Sequence, residues 1–170
     1  MATLAVKSEV LRVGFDAQPA AGTFSVPAPL QLVADLGARP LLVGPDGAAP
    51  NGLDQGGGVL DVVRVDGKKA RLEGHVPHRA LGWEREVLLN QQRIRVTDRT
   101  AGGAVALTWT FGPDWAIEGA GGAWTLRSGP YTVIVELPAA LSWRLEGRAL
   151  RGEGRCAAGE ELRSGFEVRG

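Results

Sequence analysis

Residues 79–111 decide the fold of this chain and read RALGWEREVLLNQQRIRVTDRTAGGAVALTWTF. Three runs in this stretch alternate apolar and polar residues, which is typical of β-strands because successive side chains point to opposite faces of a sheet. Short turn-forming segments separate the runs. We therefore predict an antiparallel meander, in which the three strands are neighbours in one sheet.

A turn at Gln91 and Gln92 fixes the register of the first two runs, because a slip of one residue would move every apolar side chain to the other face. The predicted core face pairs Leu89 with Ile94, Val87 with Val96, and Arg85 with Asp98. The predicted solvent face pairs Leu88 with Arg95, Glu86 with Thr97, and Glu84 with Arg99. The next connection, residues 100–103, is even in length, so Val105, Leu107 and Trp109 are expected to continue the same apolar face.

The length and charge of the chain narrow its class. A chain of 170 residues suits one domain, 1–170, with one core. Its 19 basic and 19 acidic residues cancel, so we expect neither nucleic acid nor a membrane surface as a partner. Cys156 is the only cysteine, so the chain has no internal disulfide. We find no signal peptide and no apolar run of about 18 residues, and we expect a cytoplasmic location by default.

The rest of the chain has the same β character. Turn signals recur along it, including Asp66-Gly67, a strong hairpin signal between two apolar runs. No window of eleven or more residues repeats with the 3.6-residue period of a helix. We predict an all-β fold: an antiparallel, supersandwich-like β-sandwich of about a dozen strands, with little or no helix.

The two histidines, His75 and His78, are weak candidates for a metal site. They lie three residues apart around Pro77 at the end of a predicted strand. Zinc needs at least one further ligand, which an Asp or Glu of a neighbouring strand could supply. The simpler interpretation is two exposed loop imidazoles, which we favour.

Two pairs of charged residues lie on the predicted central strands. Glu84 and Glu86 share a face, as paired carboxylates in acid–base catalysis do, but a charged ladder with the arginines of the next strand is the better interpretation. Arg85 and Asp98 fall on the apolar face, where an arginine is costly without a carboxylate. The bidentate geometry of guanidinium suits this partner, so we predict a structural ion pair near the sheet edge and prefer it to a substrate clamp.

Five tryptophans raise the prospect of a sugar-stacking surface. Trp83, Trp109 and Trp143 are in phase with predicted core positions. Trp115 and Trp124 lie next to turns and are the better candidates for ligand contact, although large aromatic side chains are usually buried. The glycine runs at 56–58 and 119–122 precede no helix that could hold a phosphate, so we interpret them as turns.

Four segments give the chain a resemblance to a known family. They read GHVPHR at 74–79, WEREVL at 83–88, IRVTDR at 94–99 and LTWTF at 107–111. In this order and spacing they resemble the C-terminal β-sandwich of the heparinase II/III-like polysaccharide lyases. Upstream, residues 30–47 and 59–67 are similar to two strand-and-turn units of that domain. The resemblance implies a β-sandwich fold and a role in contact with polysaccharide.

Catalytic motifs of that family are missing from this chain. A His-rich segment and a His-Asn-Thr motif of the family correspond to TFSVP at 23–27 and VLDV at 59–62. Only His75 has a counterpart among the family's functional residues. The α/α-toroid domain that supplies the catalytic Tyr does not fit within 170 residues.

We therefore expect a non-catalytic accessory module that contacts polysaccharide or a partner catalytic chain and needs no cofactor. Two alternatives stay open. One is an assembly protein that forms oligomers through unpaired sheet edges. The other is a divergent lyase fragment with residual metal binding through His75 and His78.

Overall fold

A computed structural model describes the backbone of residues 2–7, 11–20, 23–26, 32–36, 39–42, 52–53, 58–66, 69–75, 84–90 and 92–169, and the side chains of residues 36, 39–42, 85–88 and 92–169. The strands are β1 Ala2–Lys7, β2 Leu11–Ala20, β3 Thr23–Val26, β4 Leu32–Leu36, β5 Arg39–Leu42, β6 Gly52–Leu53, β7 Gly58–Asp66, β8 Lys69–His75, β9 Glu84–Asn90, β10 Arg93–Arg99, β11 Gly103–Thr110, β12 Ala116–Ala120, β13 Ala123–Ser128, β14 Tyr131–Glu136, β15 Ser142–Glu146, β16 Ala149–Cys156 and β17 Leu162–Arg169. Helices are absent from these residues, so the described part of the chain is all-β, as predicted.

The strands form two antiparallel sheets. The large sheet has the order β12-β13-β14-β17-β10-β9-β8-β7-β3-β2-β4-β5, with β1 added beside β2, and the small sheet has the order β15-β16-β11-β6. The hairpin signal at Asp66-Gly67 is confirmed, because β7 and β8 pair from Asp66 opposite Lys69 to Val59 opposite His75.

The register predicted for the first two central strands is confirmed. β9 and β10 pair as Arg93 with Asn90, Ile94 with Leu89, Arg95 with Leu88, Val96 with Val87, Thr97 with Glu86, Asp98 with Arg85, and Arg99 with Glu84. Val87, Ile94 and Val96 are fully buried, whereas Arg95 is exposed. Alternation thus identified which face of this strand pair is buried.

The predicted three-stranded meander is wrong in its third strand. β11 does not join β10; it lies in the small sheet, between β16 and β6. The strand that pairs with β10 in the large sheet, on the side away from β9, is β17 from the end of the chain. Val105, Leu107 and Trp109 do face the core, but they approach it from the opposite sheet.

The connection between β10 and β11 explains this change of sheet. Gly102 and Gly103 have φ angles of 92° and 106°, which redirect the chain in a way that side chains with a Cβ rarely allow. Thr100 is buried and holds the turn, because its Oγ1 accepts a hydrogen bond from the backbone N–H of Gly102 at 3.1 Å. A Cβ on Gly102 would lie 2.7 Å from the backbone nitrogen of Ala158. The loop therefore packs too closely for a larger residue.

The core lies between the two sheets. Trp109 of β11 meets Phe166 of β17 edge-to-face, with ring centroids 5.1 Å apart. Phe111 also contacts Phe166, at 6.2 Å. These T-shaped contacts place the quadrupoles of the rings favourably and add to the burial of their large apolar area. Aromatic packing thus joins the small sheet to the large sheet.

Trp143 closes the edge of this core by lying flat on β16. Its indole packs where residue 152 has no side chain, since a Cβ on Gly152 would lie 2.7 Å from atoms of the ring. The indole Nε1 donates a hydrogen bond to the carbonyl oxygen of Pro138 at 2.9 Å. Gly152 is therefore required for the position of Trp143.

We predict that Gly152→Ala destabilises the protein by about 1–3 kcal/mol, the usual cost of overpacking a filled site. Urea denaturation followed by tryptophan fluorescence measures the effect. Gly165→Ala is the matched control, because its Cβ would be 4.0 Å from its nearest neighbour, the Cβ of Glu136. Equal stability of the two variants would contradict this account of Gly152.

Candidate functional site

The most constrained group of polar side chains is buried at the junction of the two sheets. Arg85 donates two hydrogen bonds to Asp98, from Nε to Oδ1 at 2.7 Å and from Nη2 to Oδ2 at 3.0 Å. Neither side chain has any solvent exposure. The pair is bidentate and shielded from water, as predicted for these two residues.

Trp109 covers this ion pair from the opposite sheet. The guanidinium carbon of Arg85 lies 5.0 Å from the centre of the indole, which is a cation–π contact. The indole Nε1 of Trp109 donates a hydrogen bond to Oγ of Ser164, on β17, at 3.2 Å. We call these four residues, Arg85, Asp98, Trp109 and Ser164, the buried polar centre.

The buried polar centre has a structural role. Both carboxylate oxygens of Asp98 accept hydrogen bonds from Arg85, and the face of the guanidinium is covered by Trp109. A substrate could reach these atoms only if the two sheets separated. The centre therefore acts by fixing β9, β10, β11 and β17 relative to one another.

Trp115 and Trp124, the tryptophans predicted to contact a ligand, lie in the core rather than at the surface. They are only 6% and 8% exposed. Their Nε1 groups donate to backbone carbonyls, that of Trp115 to Pro40 at 2.8 Å and that of Trp124 to Gly121 at 2.7 Å. Each turn folds its indole inward, and contact of Trp115 or Trp124 with a ligand stays a prediction.

The candidate metal ligands His75 and His78 lie outside the described side chains. The backbone of His75 ends β8, opposite Glu84 of β9. Among the residues whose side chains are described, no three His, Cys, Asp or Glu residues are grouped as a metal site would require. Cys156 is buried, and its Sγ lies 3.4 Å from Oγ1 of Thr100.

The face of the large sheet that points away from the core carries a group of arginines. Arginines of β10 and β17 form what we call the outer arginine face: Arg93, Arg95, Arg99, Arg163 and Arg169. Most of these have an acidic neighbour. The carboxylate of Glu161 pairs with both Arg99 and Arg163, and the hydrogen bond from Arg99, followed by that from Arg163, lowers the pKa of Glu161 below its ordinary value.

Arg95 stands apart within the outer arginine face. It is exposed, and its neighbour across the ladder on β17 is Gly165, which has no side chain. The described residues offer its guanidinium no hydrogen bond or ion pair. The sequence placed Arg95 on the solvent face and predicted a charged ladder there. It could not show that the residue opposite Arg95 is Gly165, because that glycine lies on a strand from the far end of the chain.

Arg39 is a second residue that the sequence argument missed. Its Nη1 donates to Oγ of Ser128 at 2.5 Å, and its guanidinium lies 5.7 Å from the centre of the Tyr131 ring. A Cβ on Gly129 would lie 2.6 Å from Nη2 of Arg39. Arg39 thus joins β5 to the turn between β13 and β14, a long-range contact that no local pattern signals.

The sequence of this chain matches no family model and no curated protein. In the part of the chain that the structure describes, there is no helix long and apolar enough to cross a membrane.

We predict that Asp98→Asn destabilises the fold by about 3–5 kcal/mol, because it removes the negative charge that the buried guanidinium of Arg85 contacts through two hydrogen bonds. The double variant Arg85→Met with Asp98→Leu should cost much less, since it removes both charges and keeps an apolar volume. Urea denaturation gives both values. A double variant as unstable as Asp98→Asn would show that changed packing, rather than the lost carboxylate charge, causes the loss of stability.

Proposed function

We propose that this chain is a non-catalytic β-sandwich module of the kind found at the C-terminus of heparinase II/III-like lyases, and that it contacts an acidic polysaccharide. A partner catalytic chain would carry out any reaction on that polysaccharide. We further propose that residues 1–170 form one supersandwich-like domain that contains both sheets.

One observation supports this proposal above the others: three of the four segments that carry the resemblance meet in the buried polar centre. WEREVL contributes Arg85, IRVTDR contributes Asp98, and LTWTF contributes Trp109. Arg85, Asp98 and Trp109 are engaged with one another between the sheets. A motif used in this way defines a scaffold, and the surfaces of the scaffold remain for binding.

The outer arginine face is the described surface best suited to a polyanion. Guanidinium groups bind carboxylate and sulfate through charge-assisted, often bidentate hydrogen bonds. Arg93, Arg95 and Arg99 project from one strand at intervals of two and four residues, which corresponds to about 7 and 13 Å at the rise of a β-strand. A line of positive charges along one strand suits a polymer that carries repeated negative charges.

Two alternative functions are also proposed. An assembly role is favoured by the exposed edge strand β15, the last strand of the small sheet. Residual metal binding through His75 and His78 stays a prediction; retention of zinc after dialysis would support it, and loss of zinc would remove it.

We predict that an acidic polysaccharide in an affinity gel retards the protein in a salt-dependent way, and that a neutral polysaccharide does not. Arg95→Gln should weaken the retardation by about threefold to tenfold, the effect of one partly exposed charge-assisted hydrogen bond. Arg155→Gln is the matched control, since Arg155 is an exposed arginine on β16, in the other sheet.

Three results would contradict the proposal. One is no retardation by any acidic polysaccharide at low salt. Another is equal weakening by Arg95→Gln and Arg155→Gln, which would indicate attraction by general charge rather than by the outer arginine face. The third is equal retardation by neutral polysaccharide, which would point to contacts other than arginine.

A further inference from the structure

Strand β15 is an exposed edge. Among the described strands it pairs only with β16, so its other side is the end of the small sheet. Four of its five residues are exposed, all but Trp143. Leu145 is 41% exposed and is the only large hydrophobic residue in the described part of the chain to be so. An edge of this kind is a template for pairing with another strand.

The hairpin register indicates which backbone groups face the open side. Glu146 pairs with Ala149 across a two-residue connection, which is the hydrogen-bonded arrangement of a tight turn. Antiparallel strands alternate between residues that bond to one neighbour and residues that point the other way. Trp143 and Leu145 therefore direct their N–H and C=O groups to the free edge.

We propose that β15 pairs antiparallel with β15 of a second copy of this chain, about a two-fold axis at Leu145. In this register Leu145 faces Leu145 of the second copy. Arg144 faces Glu146 of the second copy, and Glu146 faces its Arg144. One exposed apolar residue on each chain is covered and two ion pairs form across the axis, an isologous contact in which the same patch serves both partners.

Charge distinguishes this register from the alternatives. A two-fold axis at Arg144 would place Arg144 opposite itself, and an axis at Glu146 would place Glu146 opposite itself; like charges directly opposite are destabilising. An axis at Trp143 would give Arg144 only Ser142 as its opposite residue. Charged residues on an edge usually discourage pairing. Here the order Arg-Leu-Glu places opposite charges across from each other when two copies of the strand run antiparallel.

The association is expected to be weak, because a short strand pair buries far less than the 1,200 Å² or more of a stable interface. We expect a dissociation constant on the order of 0.1–1 mM. Such an interaction acts where copies are held close together. It does not depend on contact with polysaccharide, and we test it without any polysaccharide present.

Sedimentation equilibrium of the whole chain, from about 10 µM to 1 mM at low salt, tests the proposal on the concentration scale set above. Each of Arg144→Glu and Glu146→Arg places two like-charged pairs across the axis and should weaken dimerisation by about tenfold. The double variant R144E/E146R restores opposite charges and should return dimerisation to within about threefold of the unmodified chain. Arg144 and Glu146 also pair within one chain, so the charge swap alone restores that local pair as well. An equimolar mixture of the two single variants restores opposite charges only between chains, and it should dimerise more strongly than either variant alone, which a purely local role would not give.

Two controls keep the result interpretable. Glu167→Arg changes a carboxylate that pairs with an arginine two residues away, as Glu146 does, but on the interior strand β17, and it should leave dimerisation unchanged. Arg144 also lies 3.6 Å from Glu153 within its own chain, so thermal unfolding of each variant confirms that the fold is intact. Leu145→Lys gives an independent surface variant that should also weaken the dimer.

Three outcomes would overturn the proposal. The first is a monomer throughout the concentration range. The second is a dimer insensitive to every change on β15, which would place the interface elsewhere. The third is a stronger dimer in Arg144→Gln, which would indicate the register that sets Arg144 opposite itself. None of these would alter the result of the polysaccharide experiment.

Discussion

A guanidinium group removed from water must be given a carboxylate, and this requirement organises the described part of the protein. Arg85 and Asp98 satisfy it in full, with two hydrogen bonds and no solvent exposure on either side chain. Burying two charges carries a desolvation cost that good geometry is needed to offset. In return the ion pair fixes the position of the two strands, because only one register of β9 against β10 brings these two side chains together.

The small sheet is oriented by the same interaction. Trp109 can cover the guanidinium only if β11 lies across the core from β9, and its Nε1 then reaches Ser164 on β17. Four strands from two sheets and from distant parts of the sequence thus converge on one ion pair. The aromatic contacts of Phe166 with Trp109 and Phe111 fill the space beside it.

The sequence predicted the parts of this arrangement that depend on local alternation. The pairing of β9 with β10 and the meeting of Arg85 with Asp98 follow from the period of two residues in a strand and from a two-residue turn. Alternation also predicted that Trp109 faces the core. It could not tell from which sheet, since either sheet of a face-to-face pair satisfies the same pattern.

Other features depended on contacts that no local pattern contains. Two glycines with positive φ send β11 to the small sheet, and β17 arrives beside β10 from the far end of the chain. The burial of Trp115 depends on the carbonyl of Pro40, 75 residues away. Proximity to a turn is therefore a poor guide to exposure, because the path of the turn decides where the indole lies.

Arg85 and Asp98 are engaged with each other inside the protein, so function is left to the surfaces. The outer arginine face lies on the large sheet, and the exposed edge β15 belongs to the small sheet, so the proposed binding of a polyanion and the proposed pairing with a second copy would use different parts of the chain. The sequence identified the arginines of β10 as solvent-facing. It did not distinguish Arg95 from its paired neighbours, because the glycine that isolates it lies on β17.

Native-state hydrogen exchange by NMR tests the central claim most directly, because it reports the free energy at which each strand opens. If the buried polar centre joins the sheets, the slowest amides of β10 and β11 exchange with the same free energy, equal to that of global unfolding. Exchange of the β11 amides at a clearly lower free energy, with β10 still protected, would show that the small sheet opens on its own and would contradict the account.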